Sequence, residues 1–442
     1  MSAEPTKDFF ISMLVRDISL TAAITDLIDN CVDGARRERP SSPAGAGQRF
    51  AGLFVAIIVG SDRFEIRDNC GGIPWTTARD YAFRFGRPEG ADSTPNSIGQ
   101  FGIGMKRALF KVGDEFEVSS STVAESFILK VNVPDWRRTP DWSFSDVEHV
   151  RTGRASGEVG TTITVRALHD SVSAAFAFDR FASALGDEIA KAHQESMAQG
   201  LEIRLNGVPI GFRALQLLGS DDIPTAHAAA TYEPSSADPV DVRFYAGLDE
   251  SSPRDAGWYV YCNGRLVVGP DRSAITGWGE DSGRTIPQYH NQFARFRGYV
   301  FFDSSDAERL PWTTTKDGVD PDHVTFRAAR TQMVALMRPV IDFLNRLDSE
   351  KDQPADTDFS LEAMLTHAER SPRIPLGLIT VERKFTTPLR PPAPRPPESV
   401  SIQYRRPLAL IDRAKATLGA ASAKEVGERT FDYFVARELE DG

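Results

Sequence analysis

The chain has few of the features that mark secreted or membrane proteins. Its three cysteines, Cys31, Cys70 and Cys262, are widely spaced and odd in number, so they predict neither a disulfide framework nor a metal site. No apolar run is long enough to span a bilayer. The first residues lack the basic and then apolar pattern of a signal peptide. We therefore expect a cytoplasmic protein with no membrane partner.

An excess of basic charge is also missing. The chain has 51 Lys and Arg against 62 Asp and Glu, a net charge of -11. This balance argues against a protein coated for non-specific nucleic-acid binding, although it is compatible with a local basic patch. With 442 residues, of which 41% are hydrophobic, the chain is long enough for two or three domains.

Apolar residues at helical spacing predict an amphipathic helix over residues 21–35, TAAITDLIDNCVDGA. Asp26, Asn30 and Asp33 follow one another at intervals of four and three residues, so they share a second stripe of this helix. A carboxylate one turn before an amide can hold a water molecule and a metal ion together, and few protein oxygens suit Mg2+. A surface helix with solvated acids is the alternative that this stretch alone leaves open.

A strand over residues 51–60 and a second one from residue 61 follow this helix, and the second ends in the sequence DNCGGI. A carboxylate at a strand end, here Asp68, can accept a hydrogen bond from an exocyclic amine. The glycines after it let a flat ring approach the backbone. An ordinary turn between strand and loop is the alternative.

A glycine-rich segment opens the next predicted helix. Residues 75–96 are polar and predict a mobile loop, after which Gly99, Gly102 and Gly104 lead into a helical pattern that carries Lys106. The free backbone N–H groups and the dipole of such a helix start favour phosphate oxygens. The pattern is not a Walker motif, because the Gly-Lys-Ser/Thr ending is missing.

Together with the later strand 159–165 (VGTTITV), these pieces occur in the order found in the GHKL ATPases, which they resemble. That superfamily includes gyrase, the heat-shock chaperone of the ninety-kilodalton class, histidine kinases and MutL. The acidic helix resembles its N box, DNCGGI its first glycine box, IGQFGIGMK its second, and GTTI its closing Gly-Thr. Within the superfamily, the motif LIDN-x-x-D and the position of Lys106 after the second glycine box are most similar to those of MORC, MutL and bacterial relatives of MORC.

The resemblance implies a Bergerat α/β sandwich with a role for each matching residue. Asn30 would coordinate Mg2+, and Asp26 stands where the family usually has a glutamate that polarises the attacking water. Asp68 would bind the adenine amine, with Gly72 and Thr161 nearby. The phosphates would lie under a lid of residues 78–98, and the implied contacts there and on the acidic helix are Gly99, Gly102, Gly104, Lys106 and Asp33.

Two departures from the family pattern qualify these roles. Asp26 is one methylene shorter than glutamate, so we expect slow hydrolysis. Cys70 replaces the first glycine of the DxGxG pattern, which brings the local backbone angle into question.

The second half of the chain alternates strands with one long helix, which Met333 to Leu347 mark by their spacing. The segments YCNGRLV and TTTKDG resemble the S5-like transducer domain of MutL and MORC. There a loop lysine reaches the γ-phosphate, so the resemblance implies that Lys316 senses ATP. A solvated loop lysine is the alternative. The predicted strands cover residues 201–212, 241–248, 257–268 and 295–303.

The predicted fold class is α+β: a GHKL domain over 1–168, an S5-like transducer over 169–348, a Pro-rich basic linker over 349–399 and a helical segment over 400–442. Between residues 370 and 415 there are ten Lys and Arg against three Asp and Glu. This stretch is compatible with a DNA or acidic protein partner and also with a solvated linker.

The resemblance implies a Mg2+-dependent ATPase that acts as a conformational switch. Binding of ATP would pair two protomers, through the apolar arm at residues 8–20, and the dimer would act with DNA or an effector protein. In bacterial relatives such switches often serve defence against phage. A chaperone-like or non-hydrolysing ATP-binding module is the alternative. A histidine-kinase reaction is disfavoured, because the first histidine, His149, follows the phosphate motifs.

Overall fold

The computed structural model describes residues 5–40, 48–86, 94–99, 102–151, 159–220, 223–279, 286–350, 361–386 and 402–439. The predicted lid residues 87–93, Gln100 and Phe101 of the second glycine box, and nearly all of the Pro-rich stretch lie outside these ranges. The chain divides into two compact units, residues 1–388 and 389–442.

The first sheet of the larger unit contains eight described strands. They are β1 (Phe54–Gly60), β2 (Arg63–Asp68), β3 (Gly113–Ser121), β4 (Ser126–Asn132), β5 (Val147–Val150), β6 (Gly160–Leu168), β7 (Glu202–Leu205) and β8 (Val208–Pro209). Their order is β5-β4-β3-β6-β2-β1-β7-β8. The pairs are antiparallel except β1 with β7, which is parallel. This mixed sheet fits the α/β sandwich that the resemblance implies.

The helices of this unit range from one turn to seven. They are α1 (Lys7–Arg16), α2 (Leu20–Glu38), α3 (Trp75–Thr77), α4 (Gly104–Val112), α5 (Val133–Arg138), α6 (Asp170–Phe176), α7 (Asp179–Ala192), α8 (Gln194–Ala198), α9 (Val324–Glu350) and α10 (Leu361–Arg370). No helix among the described residues is both long and apolar enough to cross a membrane.

Helices α2 and α4 pack against each other, and α4 also contacts β3 and β6. The apolar run read from the sequence accounts for this layer. In the structure every second residue of β1, Val55, Ile57 and Val59, is buried and its neighbours are half-buried. On α2, Ile24 and Ile28 are buried completely, one turn apart. The sheet and the two helices thus enclose one apolar core below the predicted site.

The second sheet has the order β10-β11-β14-β12-β13, and its strands are β10 (Ala226–Tyr232), β11 (Val240–Leu248), β12 (Gly257–Cys262), β13 (Arg265–Asp271) and β14 (Phe296–Asp303). Two short strands, β9 (Gln216–Leu217) and β15 (Ile374–Pro375), form a separate antiparallel pair. Helix α9 packs on β11 and β14 with buried Met333, Met337 and Ile341. The long helix predicted from these residues is confirmed.

Three sequence-based expectations differ from the observed elements. Most of the arm at residues 8–20 is helix α1, which Lys7 anchors by donating hydrogen bonds from Nζ to the carbonyl oxygens of Trp136 (2.6 Å) and Asp141 (2.7 Å). The loop predicted over 75–96 begins with α3 and one π-helical turn, Ala78–Ala82.

Strand β7, predicted within the second domain, belongs to the first sheet, because it pairs with β1. The first sheet therefore extends past the predicted boundary at residue 168, and the domain limits stay predictions.

The smaller unit, described over residues 402–439, is a helical hairpin. Helix α11 (Leu408–Leu418) ends at Gly419, whose φ of 62° permits the left-handed turn into the next segment. Helix α12 (Ala423–Phe434) begins after Ser422, whose side chain accepts a hydrogen bond from the N–H of Glu425. One π-helical turn, Val435–Leu439, follows.

Candidate nucleotide-binding site

The predicted site residues come together around one cavity of about 700 Å³, a size typical of small-molecule sites. Its walls also include Ile66, Ile73 and Ile163, which provide an apolar side. Every residue with a predicted site role lines this cavity: Asp26, Asn30, Asp33, Asp68, Gly72, Gly99, Gly102, Gly104, Lys106, Thr161 and Lys316.

Helix α2 presents its acids and its amide differently. Asp26 and Asp33 are buried, at 4% and 6% exposure, whereas Asn30 between them is exposed and lines the cavity. Within the described part of the chain, the Asn30 side chain makes no hydrogen bond. Its amide oxygen therefore has no partner among the described residues, and it faces the cavity where a ligand or a hydrated cation would lie.

Asp26 is held by two cations. Its Oδ2 atom accepts a hydrogen bond from Nη2 of Arg107 at 2.6 Å, and its Oδ1 atom lies 3.4 Å from Nζ of Lys316. The start of α4 passes close above it, since a Cβ atom on Gly104 would lie 3.3 Å from Oδ2. The glycine at this position thus lets α4 bring Arg107 to the acid.

Asp29 forms the most deeply buried ionic cluster at the site. Its Oδ2 atom lies 2.7 Å from Nζ of Lys316, and its Oδ1 atom lies 3.1 Å from Nε of Arg265 and 3.7 Å from Nε2 of His193. Burial acts to raise the pKa of the Asp29 carboxyl, but Lys316 and Arg265 outweigh it and the pKa is lowered. Burial lowers the pKa of His193 to about 3, so this imidazole is neutral.

Asp33 fixes the backbone of the glycine loop. Its two carboxylate oxygens accept hydrogen bonds from the N–H groups of Ile98 (2.8 Å) and Gly99 (2.7 Å). Burial raises the pKa of the Asp33 carboxyl, and Arg36 and these two bonds oppose that shift. We expect Asp33 to position the loop, because its two oxygens hold two consecutive backbone N–H groups of that loop.

Asp68 lies at the end of β2 with two donors on its carboxylate. It accepts hydrogen bonds from the N–H of Cys70 (2.8 Å) and from Sγ of Cys31 (3.4 Å). Burial nevertheless raises the pKa of Asp68 to about 6. The Thr161 hydroxyl is 2.9 Å from that of Ser120. Asp68 is thus rigidly oriented beside the cavity.

The first glycine box tolerates its cysteine. Gly71 and Gly72 have φ values of 90° and 69°, whereas Cys70 has no positive φ. A Cβ atom on Gly72 would lie 2.1 Å from the carbonyl oxygen of Ser121. The replacement of the first glycine by Cys70 therefore strains nothing, and the strict requirement for glycine falls on position 72.

Lys106, in the first turn of α4, points to the start of the lid. Its Nζ atom donates to the carbonyl oxygen of Ala82 at 2.7 Å. Burial lowers the pKa of Lys106 to about 7. The residue lines the cavity, so a phosphate there would compete with this carbonyl for the ammonium group.

Residues 18–160 match the family model described as histidine kinase-, DNA gyrase B-, and HSP90-like ATPase. The matched segment runs from just before α2 to the start of β6, so it contains the helix, both glycine boxes and Asp68. The match supports the GHKL superfamily for this part of the chain and suggests that the domain binds ATP. No curated protein matches the chain.

Four residues at the site were given no role from the sequence: Asp29, Arg107, His193 and Arg265. Asp29 precedes Asn30 and Arg107 follows Lys106, so their closeness to the motifs was the signal. Arg265 belongs to the quoted segment YCNGRLV. Nothing in the local pattern of His193 indicates that it lies against Asp29.

Replacement of Gly72 by alanine should destabilise the protein more than replacement of Gly52. Both have φ values that alanine rarely adopts, 69° and 82°, but a Cβ atom on Gly52 would have no atom within 4 Å. We expect Gly52→Ala to cost roughly 1–2 kcal/mol, and Gly72→Ala to cost about 1–3 kcal/mol more. Denaturant unfolding measures both, and equal losses would contradict the clash with Ser121.

Proposed function

We propose that the protein binds ATP with Mg2+ in this cavity and uses the triphosphate as a slowly hydrolysed conformational switch. The observation that carries the proposal is the convergence of four sequence motifs from the first half of the chain, and of Lys316 from the second half, on one cavity. A family match that suggests ATP binding covers the first three of these motifs.

The adenine ring would occupy the apolar side of the cavity. Asp68 offers a carboxylate to the exocyclic amine, and Ile66 and Ile163 provide flat apolar contact beside it. Two hydrogen-bond donors already orient the Asp68 carboxylate, so it would bind the base with little loss of side-chain entropy.

The phosphates would lie at the glycine loop and the N-terminus of α4, where backbone N–H groups and the helix dipole favour negative charge. The exposed amide of Asn30 fits a hydrated Mg2+, which would neutralise phosphate charge when bound. The described residues contain no cluster of three His, Cys, Asp or Glu side chains that would hold a metal alone. Water and phosphate oxygens would therefore supply the other ligands.

Asp26 would polarise the attacking water, and Arg107, 2.6 Å away, would orient the carboxylate. A second candidate function is a module that binds ATP without hydrolysing it. The observation that favours it is the double pairing of Asp26 with Arg107 and Lys316, which occupies both carboxylate oxygens. In that case Asp26 would act on water only after the Lys316 ammonium group has moved away from it.

Lys316 would report the γ-phosphate. In this structure its ammonium group pairs with Asp29 and Asp26, and these carboxylates raise the pKa of Lys316 although burial acts to lower it. An additional anion in the cavity would compete for the ammonium group. Because ADP lacks the last phosphate, such competition would favour ATP and couple its binding to the loop that carries Lys316.

Pairing of two protomers would use the exposed face of α1. Phe9 and Met13 are 59% and 51% exposed and lie one turn apart, so they form one apolar patch. A DNA or effector partner for the basic segment, residues 370–415, stays a prediction. Residues 387–401 of this segment lie outside the described ranges.

Replacement of Asn30 and of Asp26 should separate binding from turnover. We expect Asn30→Ala to weaken the Mg2+-dependent part of ATP affinity roughly 10- to 100-fold, with no change when EDTA is present. We expect Asp26→Ala to keep ATP affinity and to lower kcat by roughly 10²–10⁴-fold. Calorimetry and a steady-state ATPase assay measure these effects.

The Mg2+ role of Asn30 fails if Asn30→Ala binds ATP like the wild type with Mg2+ present, and the proposed ATP site fails if the wild type itself binds no ATP. The hydrolytic role fails if the wild type binds ATP but has no more turnover than Asp26→Ala. Asp26→Glu is the matched variant, because it restores the usual side-chain length at this position.

The affinity for ATP should pass through a maximum between about pH 6 and pH 7. The Asp68 carboxyl has a pKa of about 6, so below that pH it is protonated and accepts the adenine amine poorly. The Lys106 ammonium has a pKa of about 7, so above that pH it loses the charge that attracts phosphate. Affinity therefore falls on both sides of this window.

Two variants assign the two sides. Asp68→Asn should remove the fall in affinity at acid pH, and Lys106→Arg should remove the fall at alkaline pH. The titration of the nucleotide itself is common to all three proteins and cancels in the comparison. Parallel pH profiles for wild type and both variants would show that neither group controls binding.

Charge on α1 should block ATP-dependent pairing. With a non-hydrolysable ATP analogue, light scattering should show a doubled mass for the wild type and a single mass for Phe9→Glu. The matched control is Phe178→Glu, because Phe178 is 54% exposed and lies outside α1. An unchanged mass of the wild type with the analogue would overturn the pairing proposal.

A further inference from the structure

The turn between β12 and β13, residues Cys262 to Arg265, extends from the second sheet to the nucleotide site. Asn263 has a φ of 44°, in the left-handed region that asparagine tolerates better than most residues. The residue is only 2% exposed. A buried asparagine side chain in this conformation is expected to have hydrogen-bond partners for its amide.

Those partners join two distant parts of the chain. Nδ2 of Asn263 donates to the carbonyl oxygens of Ser97 (3.0 Å) and Ser304 (3.1 Å), and its Oδ1 accepts from the N–H of Ser304 (3.0 Å). Ser304 follows β14, and Ser97 is at the end of the lid. Only a side-chain amide can donate to both carbonyls and accept from the N–H group.

The end of the lid has a second support on α2. Arg36 donates from Nη1 to the carbonyl oxygen of Asn96 (2.5 Å) and from Nη2 to that of Asn263 (2.6 Å). Asp33 accepts from the next two backbone N–H groups, those of Ile98 and Gly99. Residues 96–99 are thus held between α2 on one side and Asn263 on the other.

The same turn supports the partner of Lys316. Arg265 lies 3.1 Å from Asp29, and Asp29 lies 2.7 Å from the Lys316 ammonium group. The lid end and Lys316 therefore share the 262–265 turn as a common support. A shift of Lys316 toward a phosphate would change the charge balance around Arg265 and so act on the turn that holds Ser97.

We propose that Asn263 is a positioning residue of the nucleotide site, which sets the end of the lid in register with Lys316. The inference rests on the proposed ATP-binding function. It predicts that Asn263 affects ATP more than ADP, because only the triphosphate reaches Lys316. It also predicts that Asn263 protects the backbone amides of the lid end when no nucleotide is bound.

Two substitutions test this role. Asn263→Asp replaces the donor by a carboxylate that faces two carbonyl oxygens. Asn263→Gly keeps the left-handed turn, buries no charge and removes the side-chain bonds. We expect either variant to bind ATP about tenfold more weakly, a change of about 1.4 kcal/mol, and to bind ADP within about threefold of the wild type. Asn263→Gly is decisive if Asn263→Asp does not fold.

The matched control is Asn206→Asp. Asn206 also precedes a glycine in a turn between two strands, has a φ of 49° and bonds to the backbone of Val59 through both side-chain atoms. Its side-chain bonds go to β1 and not to residues 96–99, and like Asn263 it is not among the residues lining the cavity. We expect this variant to keep the ATP to ADP affinity ratio of the wild type.

Hydrogen exchange of the nucleotide-free protein gives a readout that is independent of ATP. Amides of residues 96–99 should exchange faster in Asn263→Gly and at the wild-type rate in Asn206→Asp. The inference is overturned if Asn263→Gly matches the wild type in this exchange and in the ATP to ADP ratio. Failure of the proposed function would look different. In that case the wild type would bind no ATP, or the wild type and Lys316→Met would each bind ATP and ADP with equal affinity.

Discussion

The burial of the Asp29 carboxylate is the constraint on which the arrangement of the site depends. A charge removed from water costs several kcal/mol unless cations compensate it. Asp29 is completely buried, and its compensation comes from Arg265 and from Lys316, which is 287 residues further along the chain. The second sheet and the loop after it must therefore dock on α2. One side of the cavity is formed by this docking.

Helical geometry explains how α2 serves both this docking and the cavity. Successive residues are about 100° apart around an α-helix, so Asp29 and Asn30 face different directions. Asp29 lies toward Arg265 and Lys316, whereas Asn30 is exposed to the cavity. Asp26, one turn earlier and between these two directions, contacts Lys316 as well as Arg107. One helix thus connects the ionic cluster to the side chain offered to a ligand.

The sequence predicted the elements whose signal is local. The apolar spacing of α2, the apolar run of β1 and the long helix α9 agree with the structure, and so does a helix that follows the glycine-rich segment. The cavity residues were predicted from motifs that follow one another in the order found in the GHKL ATPases. The partners of Asp29 and the membership of β7 in the first sheet were missed, because both depend on contacts between distant segments. The backbone of Cys70 was doubted because φ cannot be read from residue type alone.

The charged side chains at the site differ in whether a ligand would replace their present partners. Asp33 and Asp68 hold backbone N–H groups, and Asp29 holds cations, so a ligand would find these carboxylates fixed in place. Lys316 and Lys106 are different, since both line the cavity and, in the proposed function, each would exchange its present partner for a phosphate oxygen. Such an exchange would release Asp26 and the Ala82 carbonyl together. Asp26 and the start of the lid would then both respond to the phosphates of a bound nucleotide.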